Sequence, residues 1–283
     1  MIIDIHVHPI FQDTIQEFSS TPVGARTIEN IELTSRKYYD RSPRILSLTD
    51  FQKEMATAGI DKVGLVLPGQ KGVPARLANE QLSTMLQMLP DKFIGFAGFD
   101  PNQGDEAVVD IEHAVKELGF KGIKTVSSEL ELDINDKAFY PCYTVAQELD
   151  VPIIIHTGPA LIIGALIKHV QPPMVDDVAF DFHDMKIICA HMGGHHYMEV
   201  HNLLVRHPNV YADLSFWPLH PFYKDMIPWS LFEKTVPDKV LLGSDYPPGQ
   251  TPKEAVEAVR SLPISEEFMR KILGENAACL LGL

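Results

Sequence analysis

Met1-Ile2-Ile3-Asp4-Ile5-His6-Val7-His8-Pro9 opens the chain as an apolar run closed by two histidines. Residues 2–7 predict a short buried strand. Strand residues i and i+2 share a face, so the imidazoles of His6 and His8 can reach one metal ion. The counterpart lies near the other end: Lys239-Val240-Leu241-Leu242-Gly243-Ser244-Asp245-Tyr246-Pro247, a second apolar run, leading to Asp245. If the first and last strands are neighbours in a closed barrel, the three side chains converge.

Between these ends, strand-like and helix-like segments alternate. Strands are expected at 2–7, 62–67, 93–99, 122–126, 151–156, 186–190, 210–214 and 240–243. Helical periodicity marks 49–58, 79–89, 104–118, 136–149, 198–206, 226–235 and 252–261, and an extra C-terminal helix spans 265–281. Eightfold strand–helix alternation predicts parallel strands with helices outside, a single (β/α)8 TIM-type barrel over residues 1–283, with some distortion allowed. The alternative is a doubly wound open sheet. That fold usually carries a glycine-rich phosphate loop after its first strand, and here the place holds a histidine pair. The first connection, residues 11–47, lacks a strong period and reads as a long loop over the barrel mouth.

Composition narrows the function. The 283 residues are 45% hydrophobic, enough for a large core, and carry a formal net charge of −14, which argues against nucleic acid as the main partner. Cys142, Cys189 and Cys279 are too few and too scattered for a disulfide framework, and a cytoplasmic, reducing setting is expected. With the first strand read from residue 2, no signal peptide is expected ahead of it. Residues 151–170 are apolar, but His156, the Gly158-Pro159 break and Lys168 favour strand, loop and helix over a membrane span. The expected partners are a small-molecule substrate and a second copy of the chain in a homodimer.

The C-terminal strand ends carry His6 and His8, Lys124, His156, His191 and Asp245, whereas the N-terminal ends carry a rim of Asp and Lys. In a barrel the former make one face, where active sites sit. Singly, each residue has an ordinary explanation. His156 alone could be a hydrogen-bonded core histidine, and Asp245 alone a helix cap. Together they suit one divalent metal: zinc first, manganese or iron as alternatives. For an acidic substrate, Arg26, Arg36, Arg41, Arg44 and Arg76 are candidate cationic clamps, with Arg76 preferred for its place on the mouth side. Phe216, Trp217 and Tyr246 can wall a planar substrate or pack the rim.

The motifs carry a resemblance. Asp4-Ile5-His6-Val7-His8, Ile154-Ile155-His156-Thr157-Gly158, Ala190-His191-Met192-Gly193-Gly194, Asn209-Val210-Tyr211-Ala212-Asp213, Gly243-Ser244-Asp245-Tyr246-Pro247 and Ile272-Leu273-Gly274-Glu275-Asn276-Ala277-Ala278 resemble, in order, motifs of the amidohydrolase superfamily. The closest likeness is to its amidohydrolase-2 branch, which holds aminocarboxymuconate-semialdehyde and resorcylate-type decarboxylases beside hydrolases and hydratases. The resemblance implies a metal held by His6, His8, His156 and Asp245. It implies His191 as a catalytic histidine, and Asp245 as a second catalytic group that orients or deprotonates a metal-bound water. In binuclear members a carboxylated lysine ends the fourth strand, close to the place of Lys124. The mononuclear branch instead makes Lys124 a mouth residue that pairs with substrate or with an acidic neighbour; Arg76 and Trp217, from their own positions, are the other candidate substrate-binding residues. The first expectation for chemistry is metal-assisted hydrolysis of a small, carboxylate-bearing carbonyl compound. The alternative is non-oxidative decarboxylation of an aromatic or unsaturated acid. A non-catalytic metal-binding barrel is the third reading, and the intact ligand set counts against it.

Overall fold

In the computed structural model, residues 1–20, 22–159 and 165–283 are described. Eight strands form one parallel sheet in sequential order: β1 (Ile3–Val7), β2 (Lys62–Val66), β3 (Phe93–Gly98), β4 (Gly122–Thr125), β5 (Ile153–His156), β6 (Ile187–Ala190), β7 (Val210–Asp213) and β8 (Val240–Leu241). Each lies within two residues of its expected bounds. The Ile5 amide donates to the Leu242 carbonyl at 3.0 Å, Asp245 N to His6 O at 2.9 Å, and His8 N to Tyr246 O at 2.7 Å. These bonds stitch the residues after β8 to β1 and close the barrel, which excludes the open sheet.

Thirteen helices are described: α1 (Ile15–Ser19), α2 (Pro22–Tyr39), α3 (Leu48–Ala58), α4 (Ala75–Met88), α5 (Asp105–Lys116), α6 (Ser127–Leu130), α7 (Tyr140–Glu148), α8 (Met174–Asp181), α9 (Tyr197–Arg206), α10 (Trp229–Thr235), α11 (Pro252–Arg260), α12 (Glu266–Arg270) and α13 (Asn276–Leu281). Strand residues facing the helices, among them Val63, Ile123, Ile153, Cys189 and Val240, join the large outer core. Ile3, Ile5, Val66, Ile94, Phe96, Ile154, Ile188 and Leu241 form a separate inner core. The β1–β2 register shifts between Asp4 and Val7. That irregularity lets Ile3 and Ile5 pack in the inner core while His6 and His8 still serve the interior.

Two expectations change. Residues 11–47 are mostly helix rather than loop, because α2 alone runs for eighteen residues. Its inward positions include Gly24, Thr34 and Ser35 besides Ile31, so small and polar residues blur the apolar period. The C-terminal helix is interrupted by a π-turn at Lys271–Glu275. Ala277 and Leu280 beyond it enter the inner core, and Asn276 Nδ2 donates to the carbonyls of Pro237 and Val240 at 2.9 and 2.8 Å. The last helix thus seals the barrel's N-terminal end. Helix α8 escaped sequence reading. Of the apolar stretch 151–170, the structure describes β5 and a 3-10 turn at Ile167–Val170, and 160–164 fall outside the described residues. Among the described residues no helix is long and apolar enough to cross a membrane.

Candidate metal centre

The residues that end β1, β4, β5, β6, β7 and β8 meet at one face. Backbone conformation helps place them. His191 and Met192 after β6, Phe216 after β7 and Asp245 after β8 all have positive φ, between 47° and 59°, a left-handed conformation that costs energy in non-glycine residues and clusters at functional sites. Gly243 leaves the room His6 needs: a Cβ there would lie 3.0 Å from His6 Cβ and Ser215 Cβ.

His6, His8 and Asp245 each direct one ligand atom to a common point, all within 4.8 Å of one another. His8 Nε2 lies 3.2 Å and His6 Nε2 3.6 Å from Asp245 Oδ1. The other nitrogen of His6 is already taken, with Nδ1 2.9 Å from Asp213 Oδ2. A carboxylate on the far ring nitrogen fixes the tautomer and leaves Nε2 to bind a metal. His6, His191 and Asp213 also lie close enough to form a ligand group, but their short contacts are those of an orienting hydrogen-bond network. Asp213 Oδ1 accepts from His191 N at 2.9 Å and Ser215 N at 3.0 Å, and from the Ser215 hydroxyl.

The fourth expected ligand, His156, is held differently. Its Nδ1 lies 3.0 Å from His191 Nε2, while His191 Nδ1 lies 2.7 Å from Ser215 Oγ. His156 Nε2 is buried with no hydrogen-bond partner. A buried nitrogen lone pair without a partner is costly, although His156 stands outside the His6, His8 and Asp245 group. Burial, the first cause in each case, pushes His6 and His191 well below the ordinary imidazole range and His156 down to about 3. The rings are therefore neutral at physiological pH, the state that ligates a metal.

Lys124 is not a mouth residue. It is fully buried, with Nζ 3.4 Å from His6 Nε2, and burial pushes its amine down to about 8 against the pull of Asp213 and Asp245. Arg76 is not brought to the site. It begins α4, half-exposed, and faces Glu80 at 3.4 Å and Asp110 at 3.9 Å on the outer helices. Arg36 pairs with Glu32, and Arg41 and Arg44 both grip Glu254. Trp217 is buried among Tyr38, Phe216, His195 and Tyr223, in an aromatic cluster joining the end of α2 to the segment after β7. His220 helps tie it, with Nε2 2.9 Å from the Tyr38 carbonyl.

Sequence reasoning gave no role to Asp213, Ser215 or Glu129. Asp213 closes an apolar strand much as Asp245 follows one, so its position carried the signal. Ser215 and Glu129 had none, since a serine two residues past a strand and a glutamate in a short helix are commonplace.

Comparison with known proteins agrees with this architecture. The Amidohydro_2 family model, described as Amidohydrolase, matches residues 3–283. The gamma-resorcylate decarboxylase of Rhodococcus jostii (strain RHA1) is 24% identical over 307 residues, covering 87% of this chain and 91% of that protein. The protein of the same name from Rhizobium radiobacter is 28% identical over 130 residues, 40% of each chain, so the match spans well under half of that relative's length. Among solved structures, an uncharacterised TIM-barrel protein from Bordetella bronchiseptica superposes with a TM-score of 0.80 at 23% identity, covering 99% of this chain and 98% of that one. A dihydroxybenzoic acid decarboxylase from Polaromonas sp. JS666, with bound manganese and the inhibitor 2-nitroresorcinol, does so at 0.71 and 20% identity, covering 100% and 97%.

Proposed function

The chain belongs to the Amidohydrolase family, and on that premise we propose that it is a metal-dependent carboxy-lyase that removes carbon dioxide from a small hydroxylated aromatic acid. Of the two chemistries open to the site, this takes the decarboxylase over the hydrolase. The observation that carries the choice is the similarity, along 87% of the chain, to a protein named gamma-resorcylate decarboxylase.

His6 Nε2, His8 Nε2, His156 Nε2 and Asp245 Oδ1 would hold one divalent ion. When bound there, such an ion supplies a Lewis acid that fixes and polarises substrate oxygens. The chain does the rest. Asp213 and Ser215 hold His6 and His191 in fixed orientations, and His191 in turn holds His156. In decarboxylation the bond from ring carbon to carboxyl carbon breaks, its electron pair stays on the ring, and a proton takes the vacated position. Asp245 carries the only carboxyl of the ligand set, so it is assigned to hold and deliver that proton.

The test is direct. Protein reconstituted with manganese or zinc is given 2,6-dihydroxybenzoate, and carbon dioxide and resorcinol are followed. Formation of the two in equal amounts is expected. Turnover of esters, lactones or amides with no carbon dioxide from aromatic acids would return the site to the hydrolase reading.

A further inference from the structure

Glu129 lies in α6, directly after β4, on the face that carries the metal ligands. Its neighbour Glu131 is paired with Lys71 at the surface. Glu129 has no such partner. Its amide donates to the Val126 carbonyl at 3.0 Å, but among the described residues its carboxyl forms no ion pair, and Oε2 is sealed from solvent without a hydrogen-bond partner. The charges that act on it come from three places in the fold: Arg26 of α2, His8 just past β1 and Lys124 of β4. Burial nevertheless outweighs them and pushes its carboxyl up from the ordinary value. Arg26 likewise forms no ion pair among the described residues, so the two do not neutralise each other as a closed salt bridge.

A carboxyl oxygen shut off from water and left without a donor is destabilising by itself. Solvent cannot satisfy it, so a donor has to come from inside the site. The metal ligands leave that role open, because Glu129 stands outside their group. Of the groups acting on it, His8 belongs to the ligand set, while Lys124 and Arg26 offer an amine and a guanidinium for anionic parts of a ligand. Glu129 adds an unpartnered carboxyl oxygen that can accept from a hydroxyl.

We propose that Glu129 is the specificity-determining residue for a ring hydroxyl of the aromatic acid, its carboxyl accepting the hydrogen bond of a hydroxyl that the metal ligands do not engage. The inference rests on the decarboxylase reading of the site and refines it to acids carrying a ring hydroxyl beyond any that the metal ligands engage. A site built to bond a hydroxyl rejects the analogue lacking it, because the acceptor is then left buried and unpaired.

The experiment compares two coloured ligands on the manganese-loaded protein: 2-nitroresorcinol, and 2-nitrophenol, which lacks the second hydroxyl. Dissociation constants are read from the absorbance change. Wild type should prefer 2-nitroresorcinol. Glu129→Ala should lower that preference about tenfold, the equivalent of about 1.4 kcal/mol. Glu129→Gln, whose amide carbonyl still accepts, should keep most of it, and neither variant should melt below wild type. If wild type binds 2-nitroresorcinol but Glu129→Ala weakens both ligands equally, Glu129 is structural and the inference falls while the decarboxylase reading stands. If wild type neither binds 2-nitroresorcinol nor releases carbon dioxide from 2,6-dihydroxybenzoate, the reading of the site fails and the inference with it.

Discussion

The polar centre has two sides that use the same kinds of residue in opposite ways. On the side of β1 and β8, the ligand atoms of His6, His8 and Asp245 are turned toward one another, and His8 keeps 22% of its side chain exposed. On the side of β5 to β7, nearly every polar atom is already spent. His156 bonds His191, His191 bonds Ser215, Ser215 bonds Asp213, and Asp213 bonds His6. That chain ends on one free atom, His156 Nε2. The first side is built to take a ligand and the second to hold a geometry. Counting histidines does not separate the roles; asking which nitrogen is still free does.

The largest effect should come from His6, the residue that belongs to both sides. Wild-type protein should carry about one divalent ion per chain. His6→Ala should reduce that to near zero by elemental analysis and abolish turnover, and His8→Ala should do so with less disturbance of the network. Full activity in metal-free protein would remove the metal from the mechanism.

His191 comes next. Its hydrogen bond to the ligand set is to His156, so His191→Asn should lower turnover by ~10²-fold or more, the scale of a lost proton-transfer or orienting group. Its metal content should fall far less than in His156→Ala. Equal metal loss in the two variants would place His191 on the ligand-binding side and erase the distinction.

Asp213 tests the holding side most directly. Partners one bond removed from a ligand typically change metal affinity by about 10–100-fold when mutated. Asp213→Asn, read by competition with a chromophoric chelator, should fall in that range. Unchanged affinity would mean that His6 keeps its orientation without the carboxylate.

The barrel was legible because its signal is repeated eight times. Each strand is a short apolar run, and the chemically reactive residues stand at or just past the ends of those runs. His6 with His8, His156, His191 and Asp245 were therefore findable from position alone. What escaped depended on pairings and burial that position along the chain does not show. Arg76 follows the second strand on the mouth side, as a substrate clamp would, but helical spacing hands it to Glu80 (i, i+4) and α5 supplies Asp110. Helix α2 was hidden because Thr34 and Ser35 sit on its buried positions. Lys124 looked like a mouth residue, yet it points into the barrel, where 1% of it is exposed. The orphaned oxygen of Glu129 has no sequence signature at all.

The smallest effect should be a pH dependence that again divides the two sides. Glu129 loses its proton near 4.5 in the unfolded chain, whereas burial raises the folded value. Between those values the folded state binds more protons, so this group makes stability fall as pH rises. His156 works the other way. Its folded value of about 3 lies below the unfolded 6.5, so between those values the unfolded chain binds more protons and stability rises with pH. Wild type mixes the two trends, and subtracting a variant separates them. Glu129→Gln has no carboxyl to desolvate. In metal-free protein, its stability relative to wild type should increase from pH 4.5 upward and level off once folded Glu129 is ionised. The measurement is urea unfolding of both proteins from pH 4.5 to 6.5, below the range where Lys124, pushed down to about 8, begins to contribute. A difference that stays flat across that range would mean that the Glu129 carboxyl is as well solvated folded as unfolded. It would then face water, and not the donor the site is inferred to await.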